Sequence, residues 1–422
     1  MNKPFTNAHA HIFTAKHAPD YFLKTAIRNT SLAIWVDAFL QKRQTRDIVK
    51  VIGKLLFWRT PAKREVLERY LQFVQIGTSS TQQDIFEKID KPYRKFGDHR
   101  IIVLSQVLDY LDLERTSNHK NIFTQVEEIV AIKRNAAYQN SIYPFLGIDP
   151  RMTGVDLPAW VKKYIHADYG FCGIKIYPAA GYFPFDKRLD DIWKWAEENQ
   201  IPVMTHCTRV GSFYLGKMES ILNAGGVDAI ATDPAHPRMT SIKTRVNNVL
   251  ADSSIRQKNL TWCNVFGHPE NYIPVLDRYP HLKLCFAHLG GANEVLHYYS
   301  LPNKRENYPT YMNDNWYSAV LSLMKTYPNI YADISYTLSS KEALSEISKE
   351  FRLDDKPGIP FEKRIINRLL YGTDFYMTQQ EETGEEPNLQ QMFFNAFTEE
   401  EAILLAYINP SKYLDSKIFP ES

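Results

Sequence analysis

Two histidines near the start of the chain, His9 and His11 in Phe5-Thr-Asn-Ala-His-Ala-His-Ile-Phe13, have the type and spacing of a metal-binding pair. In a strand, side chains two apart project to the same face, and imidazole is the commonest neutral metal ligand. A lone His-x-His also arises by chance on surfaces and in cores. Further along, three more polar residues each close an apolar run. These are His206 in Pro202-Val-Met-Thr-His206, His288 in Leu284-Cys-Phe-Ala-His-Leu-Gly290, and Asp374 in Leu370-Tyr-Gly-Thr-Asp374. Three histidines and an aspartate suit one divalent ion, zinc foremost, with a position left open for water. Such an ion would lower the pKa of that water and polarise a substrate carbonyl. His288 would then take a proton from the water or orient it. Singly, each residue has a plainer reading: a hydrogen-bonded core histidine or, for Asp374, a helix N-cap. Together, at matching positions, they favour a site.

The elements that must bring these residues together are strands. Eight are predicted, at Phe5–Ile12, Arg100–Asp109, Ile142–Asp149, Cys172–Pro178, Pro202–Cys207, Lys283–His288, Asn329–Ser335 and Leu369–Asp374. Each is short and rich in Val, Ile, Leu, Tyr or Phe. Helical segments intervene at Asn121–Gln139, Asp186–Asn199, Pro269–Tyr279, Asn315–Tyr327 and Phe361–Asn367. Strand alternating with helix predicts parallel pairing, and eight units predict an α/β fold, the (β/α)8 TIM barrel. In a barrel all C-terminal strand ends meet in one mouth, so the five residues become neighbours. The competitor, a doubly wound open sheet, would carry a Gly-rich turn after its first strand, and the sequence has none.

One domain is expected over residues 1–422, with insertions at about 14–98 and 208–262 over the barrel mouth. The first is helical in pattern at Pro19–Ile48, Arg64–Phe73 and Gln82–Lys91; the second follows the fifth strand. Lys175, in Gly173-Ile-Lys-Ile-Tyr-Pro178, is a charged residue between isoleucines. A buried, unpaired ammonium is costly, so its tip is expected at the mouth or on a carboxylate. Three roles stand open: binding an anionic substrate, a structural ion pair, or a carbamylated bridge between two metals. Arg209, and Arg238 with His236 in the second insertion, could join Lys175 in holding a carboxylate, as Arg does bidentately; each could equally be a solvated charge. Tyr177, Tyr182 and Phe183 could form an apolar wall, or simply pack in the core.

The bulk composition narrows the field. The 422 residues are 44% hydrophobic and 23% charged, with a net charge of +2, too small to argue for nucleic acid or an anionic membrane as partner. Cys172, Cys207, Cys263 and Cys285 form no Cys-x-x-Cys pair and read as packed, reduced thiols. A strand begins almost at once and no apolar run nears about 20 residues, so a cytoplasmic protein without signal peptide or membrane span is expected. No Gly-x-x-x-x-Gly-Lys loop supports nucleotide chemistry.

The set His9-Ala-His11, Gly173-Ile-Lys-Ile-Tyr-Pro178, Met204-Thr-His206, Gly267-His-Pro-Glu270 with Tyr279-Pro-His-Leu-Lys-Leu-Cys-Phe-Ala-His-Leu-Gly-Gly291, and Tyr371-Gly-Thr-Asp374 resembles the amidohydrolase superfamily. More narrowly it resembles the amidohydrolase-related branch that includes aminocarboxymuconate-semialdehyde decarboxylase. Tyr407-Ile-Asn-Pro-Ser-Lys-Tyr-Leu414 is similar to that branch's C-terminal segment. The resemblance implies a barrel hydrolase or non-oxidative decarboxylase using one metal, usually zinc. It implies His9, His11, His206 and Asp374 as ligands, His288 as general base, and often a homodimer. One departure stands out: the branch begins Asp-x-His-x-His, and here Asn7 holds the Asp position, which changes the charge behind the ligands.

Three functions remain in view. The first is a metal-dependent hydrolase of an amide, ester or lactone bond in a small, carboxylate-bearing molecule. The second is a decarboxylase on the same site, and the third a non-catalytic barrel that only binds.

Overall fold

Eight parallel strands pair strictly in chain order, β1 to β8. They are β1 Phe5–Ala10, β2 His99–Leu104, β3 Ile142–Ile148, β4 Gly173–Ile176, β5 Val203–Thr205, β6 Leu284–Phe286, β7 Ile330–Asp333 and β8 Leu369–Leu370. The computed structural model describes residues 3–17, 81–114, 121–209, 214, 216–217, 239–254, 259–300, 315–353, 364–378 and 384–421. β8 closes on β1 through backbone hydrogen bonds: Ala8 N to Tyr371 O at 2.8 Å, Asp374 N to His9 O at 2.9 Å, and His11 N to Phe375 O at 3.1 Å. The result is the (β/α)8 barrel that the strand–helix alternation predicts.

All eight expected strands are present, and nearly all stop sooner than their apolar runs. The reason is geometric. At the C-terminal ends the chain leaves the ladder to turn into the mouth, while its residues keep a strand-like apolar pattern. His11, His206, His288 and Asp374 therefore lie just beyond β1, β5, β6 and β8.

Register sets the barrel interior. Gly147, Lys175, Met204, Cys285 and Tyr331 align across β3 to β7, which makes Lys175 the charged member of an otherwise uncharged layer. The floor is filled by Tyr413, whose ring lies 5.0 Å from Tyr331 and 6.0 Å from Phe145 and whose hydroxyl donates to Val203 O at 2.8 Å. Asn409 fixes that C-terminal segment by donating to Ile366 O and Leu369 O.

The helices cover the barrel's outside with apolar faces. In Gln82–Tyr93, Ile85, Phe86, Ile89 and Tyr93 are buried, and a Thr81–Asp84 capping box starts the helix. This end of the expected first insertion is thus the outer helix that precedes β2; Pro19–Ile48 and Arg64–Phe73 lie outside the described residues. In the second insertion, helices Met239–Ala251 and Asn259–Phe266 share an apolar cluster with Ala179 and Phe183, which follow β4. Among the described residues, no helix is long and apolar enough to cross a membrane.

Candidate metal centre at the barrel mouth

His9 and His11 do converge, with Nε2 atoms 3.3 Å apart, although a register shift between Asn7 and Ala10 interrupts the regular ladder. Each imidazole is committed at its other nitrogen. His9 Nδ1 lies 3.0 Å from Asp333 Oδ2, and His11 Nδ1 lies 3.2 Å from the Leu104 carbonyl. Both oxygens only accept, so both Nδ1 atoms carry the proton and both Nε2 atoms present bare lone pairs. Gln106 also reaches His11 Nδ1 at 3.1 Å, and its amide can turn to offer oxygen there.

Between the two lone pairs sits Asp374 Oδ1, 3.3 Å from His9 Nε2 and 3.1 Å from His11 Nε2. Three acceptors thus face one another in a buried site. A cation satisfies all three together, which is the fit expected of a divalent metal bound by imidazole and carboxylate. Ligand atoms of His9, His288 and Asp374 also fall within 4.8 Å of one another. His288, expected as the base, therefore stands within reach of the same point. Its Nδ1 lies 3.1 Å from the Ser335 carbonyl, which leaves Nε2 unprotonated. That Nε2 lies 3.2 Å from His206 Nδ1, and the Tyr177 ring stacks on His206 with centroids 4.4 Å apart.

The electrostatics match this assignment. Burial lowers the pKa of His9 despite the pull of Asp333 and Asp374, and burial brings His288 down to about 4. Both are neutral imidazoles near pH 7, the form that binds metal or accepts a proton. Burial alone would raise the Asp374 carboxyl, but His9, His11 and His288 hold it well below the carboxylate range.

Backbone conformation is unusual at the same places. His288 and Asp374 have φ of 66° and 57°, in the left-handed region that non-glycine residues seldom occupy. The turn after His288 needs glycine: at Gly290, φ is 85° and a Cβ would stand 2.7 Å from Tyr317 N.

Lys175 is buried at the mouth, and its Nζ makes no hydrogen bond. Burial pulls its pKa down to about 8 against the attraction of Asp333 and Asp374. Arg209 is engaged elsewhere: its Nε donates to Glu294 Oε1 at 2.9 Å and its guanidinium lies 4.9 Å from the Trp316 ring centre. Arg238 and His236 lie outside the described residues. Tyr182 and Phe183 are packed in the apolar core.

Two contributors escaped the sequence reading. Asp333 ends β7, binds His9 Nδ1 through one oxygen, and through the other accepts from His288 N at 2.9 Å and Ser335 N at 3.0 Å. Burial would raise its carboxyl, yet His9 and His288 hold it below the usual range. Ser335 Oγ donates to Asp333 and lies 3.0 Å from Nδ1 of both His9 and His288. The available signal was an Asp closing the apolar run Ile330-Tyr-Ala-Asp333, the same pattern that marked Asp374.

Among curated proteins no sequence matches this chain. Solved structures similar to it include 5-carboxyvanillate decarboxylase from Novosphingobium aromaticivorans, complexed with manganese and 4-hydroxy-3-methoxy-5-nitrobenzoic acid. It is 12% identical, with 98% of this chain and 96% of that chain covered and a TM-score of 0.49. A probable 2-pyrone-4,6-dicarboxylic acid hydrolase from Acinetobacter baumannii, with citric acid bound, is 12% identical at 98% and 99% coverage, TM-score 0.47. 4-Oxalomesaconate hydratase from Rhodopseudomonas palustris is 14% identical at 97% and 95% coverage, TM-score 0.45. Residues 156–415, more than half of the chain, match the model of the family described as amidohydrolase. The chain belongs to the amidohydrolase family of enzymes.

Proposed function

We propose that this enzyme is a metal-dependent hydrolase of an amide, ester or lactone bond in a small, carboxylate-bearing molecule. The observation that carries this reading is the convergence of His9 Nε2, His11 Nε2 and Asp374 Oδ1 as three buried acceptors. His9, His11, His206 and Asp374 would hold one divalent ion, with zinc proposed from the ligand types. When bound, that ion supplies Lewis-acid polarisation of a carbonyl and a water of lowered pKa.

The chain's own residues do the rest. His288, neutral and unprotonated at Nε2, accepts the proton of the attacking water and returns it to the leaving group. Asp333 and Ser335 keep His9 and His288 in the tautomers that leave Nε2 free. Lys175, an ammonium without a hydrogen-bond partner at the mouth, anchors the substrate carboxylate as a point charge. Its free Nζ favours this role over a purely structural pair. Arg209, held by Glu294, serves from the rim, with Arg238 in the insertion as its proposed companion.

A panel of lactones, esters, amides and aromatic or unsaturated carboxylates tests the reading, with products identified directly. Free acid with alcohol or amine, lost in His288→Ala, supports hydrolysis. Release of CO2 instead would assign the decarboxylase reading. No turnover of any member, with His206→Ala indistinguishable from wild type in metal content, would leave only a binding barrel.

A further inference from the structure

Behind the mouth, on the side of the sheet that faces the helices, four buried polar side chains close a ring. Asn7 Oδ1 accepts from His9 N and from Thr373 N, each at 3.1 Å. Backbone N–H groups only donate, so the other end of the Asn7 amide must be its NH2. That NH2 donates to Tyr93 Oη and to Thr373 Oγ1, each at 2.8 Å. Both hydroxyl oxygens are thereby acceptors, and each passes its own proton onward. Tyr93 donates to Glu386 Oε2 and Thr373 to Glu386 Oε1, each at 2.7 Å. One amide, two hydroxyls and the two oxygens of one carboxylate form parallel relays with a single consistent direction. Tyr371 Oη, 3.1 Å from Tyr93 Oη, adds a donor to that hydroxyl, because the Tyr93 proton is committed to Glu386.

We propose that Asn7 and Glu386 are a matched amide–acid pair, with Glu386 a positioning residue that locks His9 and the Thr373–Asp374 turn from outside the barrel. The ring stands on hydrogen-bond geometry alone; its bearing on the metal ligands rests on the metal-dependent reading above. An aspartate at position 7 reverses the logic. Its second oxygen would claim both hydroxyl protons, leaving Glu386 without donors and placing two carboxylates across two hydroxyls. The cost of an amide at 386 therefore depends on what occupies position 7. In the wild type, Gln at 386 breaks one relay, because the hydroxyl facing its NH2 loses the carboxylate oxygen that took its own proton. In the Asn7→Asp background, that same NH2 supplies a donor the ring lacks and removes one of two charges. Gln can supply a donor at one end only, so the rescue is partial.

Asn7→Asp, Glu386→Gln and the double variant, prepared as full chains, test the pair through zinc affinity (by chelator competition) and through thermal unfolding of the metal-free protein. Burial raises the Glu386 carboxyl to about 7 against the hydroxyls that donate to it, and a carboxylate at position 7 raises it further, so the measurements are made at about pH 9. Outer partners of metal ligands change affinity by about 10- to 100-fold. Asn7→Asp is expected near the upper end, about 100-fold weaker, and Glu386→Gln near the lower end, about 10-fold weaker. The double variant should bind roughly 10-fold more tightly than Asn7→Asp alone, with a higher unfolding midpoint, so that Glu386→Gln changes sign between backgrounds. A double variant equal to or worse than Asn7→Asp, or an Asn7→Asp indistinguishable from wild type, overturns the pair. If the wild type binds no zinc, the metal reading fails, while the unfolding midpoints still decide the pair. If aspartate at position 7 prevents folding in both variants, Tyr93→Phe takes its place. With that relay gone, Glu386→Gln should lower the midpoint less than it does in the wild type; an equal loss overturns the proposal.

Discussion

The two ends of the barrel are built from the same eight strands and solve opposite problems. At the floor, Tyr413 fills the space between Phe145 and Tyr331, its hydroxyl satisfied by Val203 O. Beside it, Lys283 donates to the Lys412 and Asp415 carbonyls. At the mouth, Asp374 and two imidazoles direct acceptors at one another. Lys175 Nζ stands without a hydrogen bond, and His288 and Asp374 hold left-handed backbones. The contrast teaches that the Tyr413 hydroxyl and the Lys283 ammonium at the floor each meet a backbone carbonyl, whereas at the mouth acceptor faces acceptor and an ammonium stands without a hydrogen bond.

Substitutions should therefore separate the two ends. The largest effect is expected for Asp374→Asn, which removes the carboxylate between His9 and His11. Losing Lewis-acid chemistry worth several kcal/mol should lower kcat by about 10³-fold or more, with zinc binding reduced in parallel and the fold retained by circular dichroism. Tyr413→Ala is the converse: a cavity at the floor should cost about 3–5 kcal/mol in denaturant unfolding and leave zinc affinity unchanged. A floor variant that lost metal as readily as a mouth variant would erase the distinction. Asp333→Asn should fall between, weakening zinc by about 10- to 100-fold and costing about 1–3 kcal/mol of stability, since an amide cannot accept from both His9 Nδ1 and the His288 and Ser335 N–H groups.

The smallest expected effect lies on the outer side of the barrel at the N-terminal end of β2, where His99 meets Asp90 at 2.8 Å. Burial opposes the charge on His99, but Asp90 and the Gly97 carbonyl overcome it and raise its pKa above 6.5. Burial likewise opposes the charge on Asp90, and His99 and Arg94 lower its pKa below 3.8. The His99 contribution is complete below pH 6.5 and fades as pH rises through its raised value. The Asp90 contribution is complete above pH 3.8 and fades as pH falls through its lowered value. Thermal unfolding of wild type and His99→Asn should differ most between about pH 4 and 6.5 and converge above that window, by about 1 kcal/mol or less.

Much of the mouth was legible because one rule applied repeatedly: a polar residue closing an apolar run in a barrel lies at the mouth. His9, His11, His206, His288 and Asp374 all obeyed it, and the strand order followed from the alternation of strands with helices. The same rule would have marked Asp333, but His9, its partner, lies 324 positions away, and nothing local distinguishes an orienting carboxylate from a cap. Glu386 is harder still, since an acid in the first turn of helix Glu386–Ala396 already has a local reason to be there. Only the fold brings it to Asn7. Strands end sooner than the sequence predicts because residues leaving the ladder keep its apolar pattern. Arg209 looked available in sequence because Glu294, which holds it, comes from a different turn of the barrel.

The most direct measurement is the metal content of the purified chain, by mass spectrometry of the eluted ions, for wild type, His9→Ala and Tyr413→Ala. One divalent ion per wild-type chain, lost in His9→Ala and kept in Tyr413→Ala, is the result expected of a mouth built to receive a single metal. A wild-type chain without stoichiometric metal, or a His9→Ala chain that keeps it, would contradict that account.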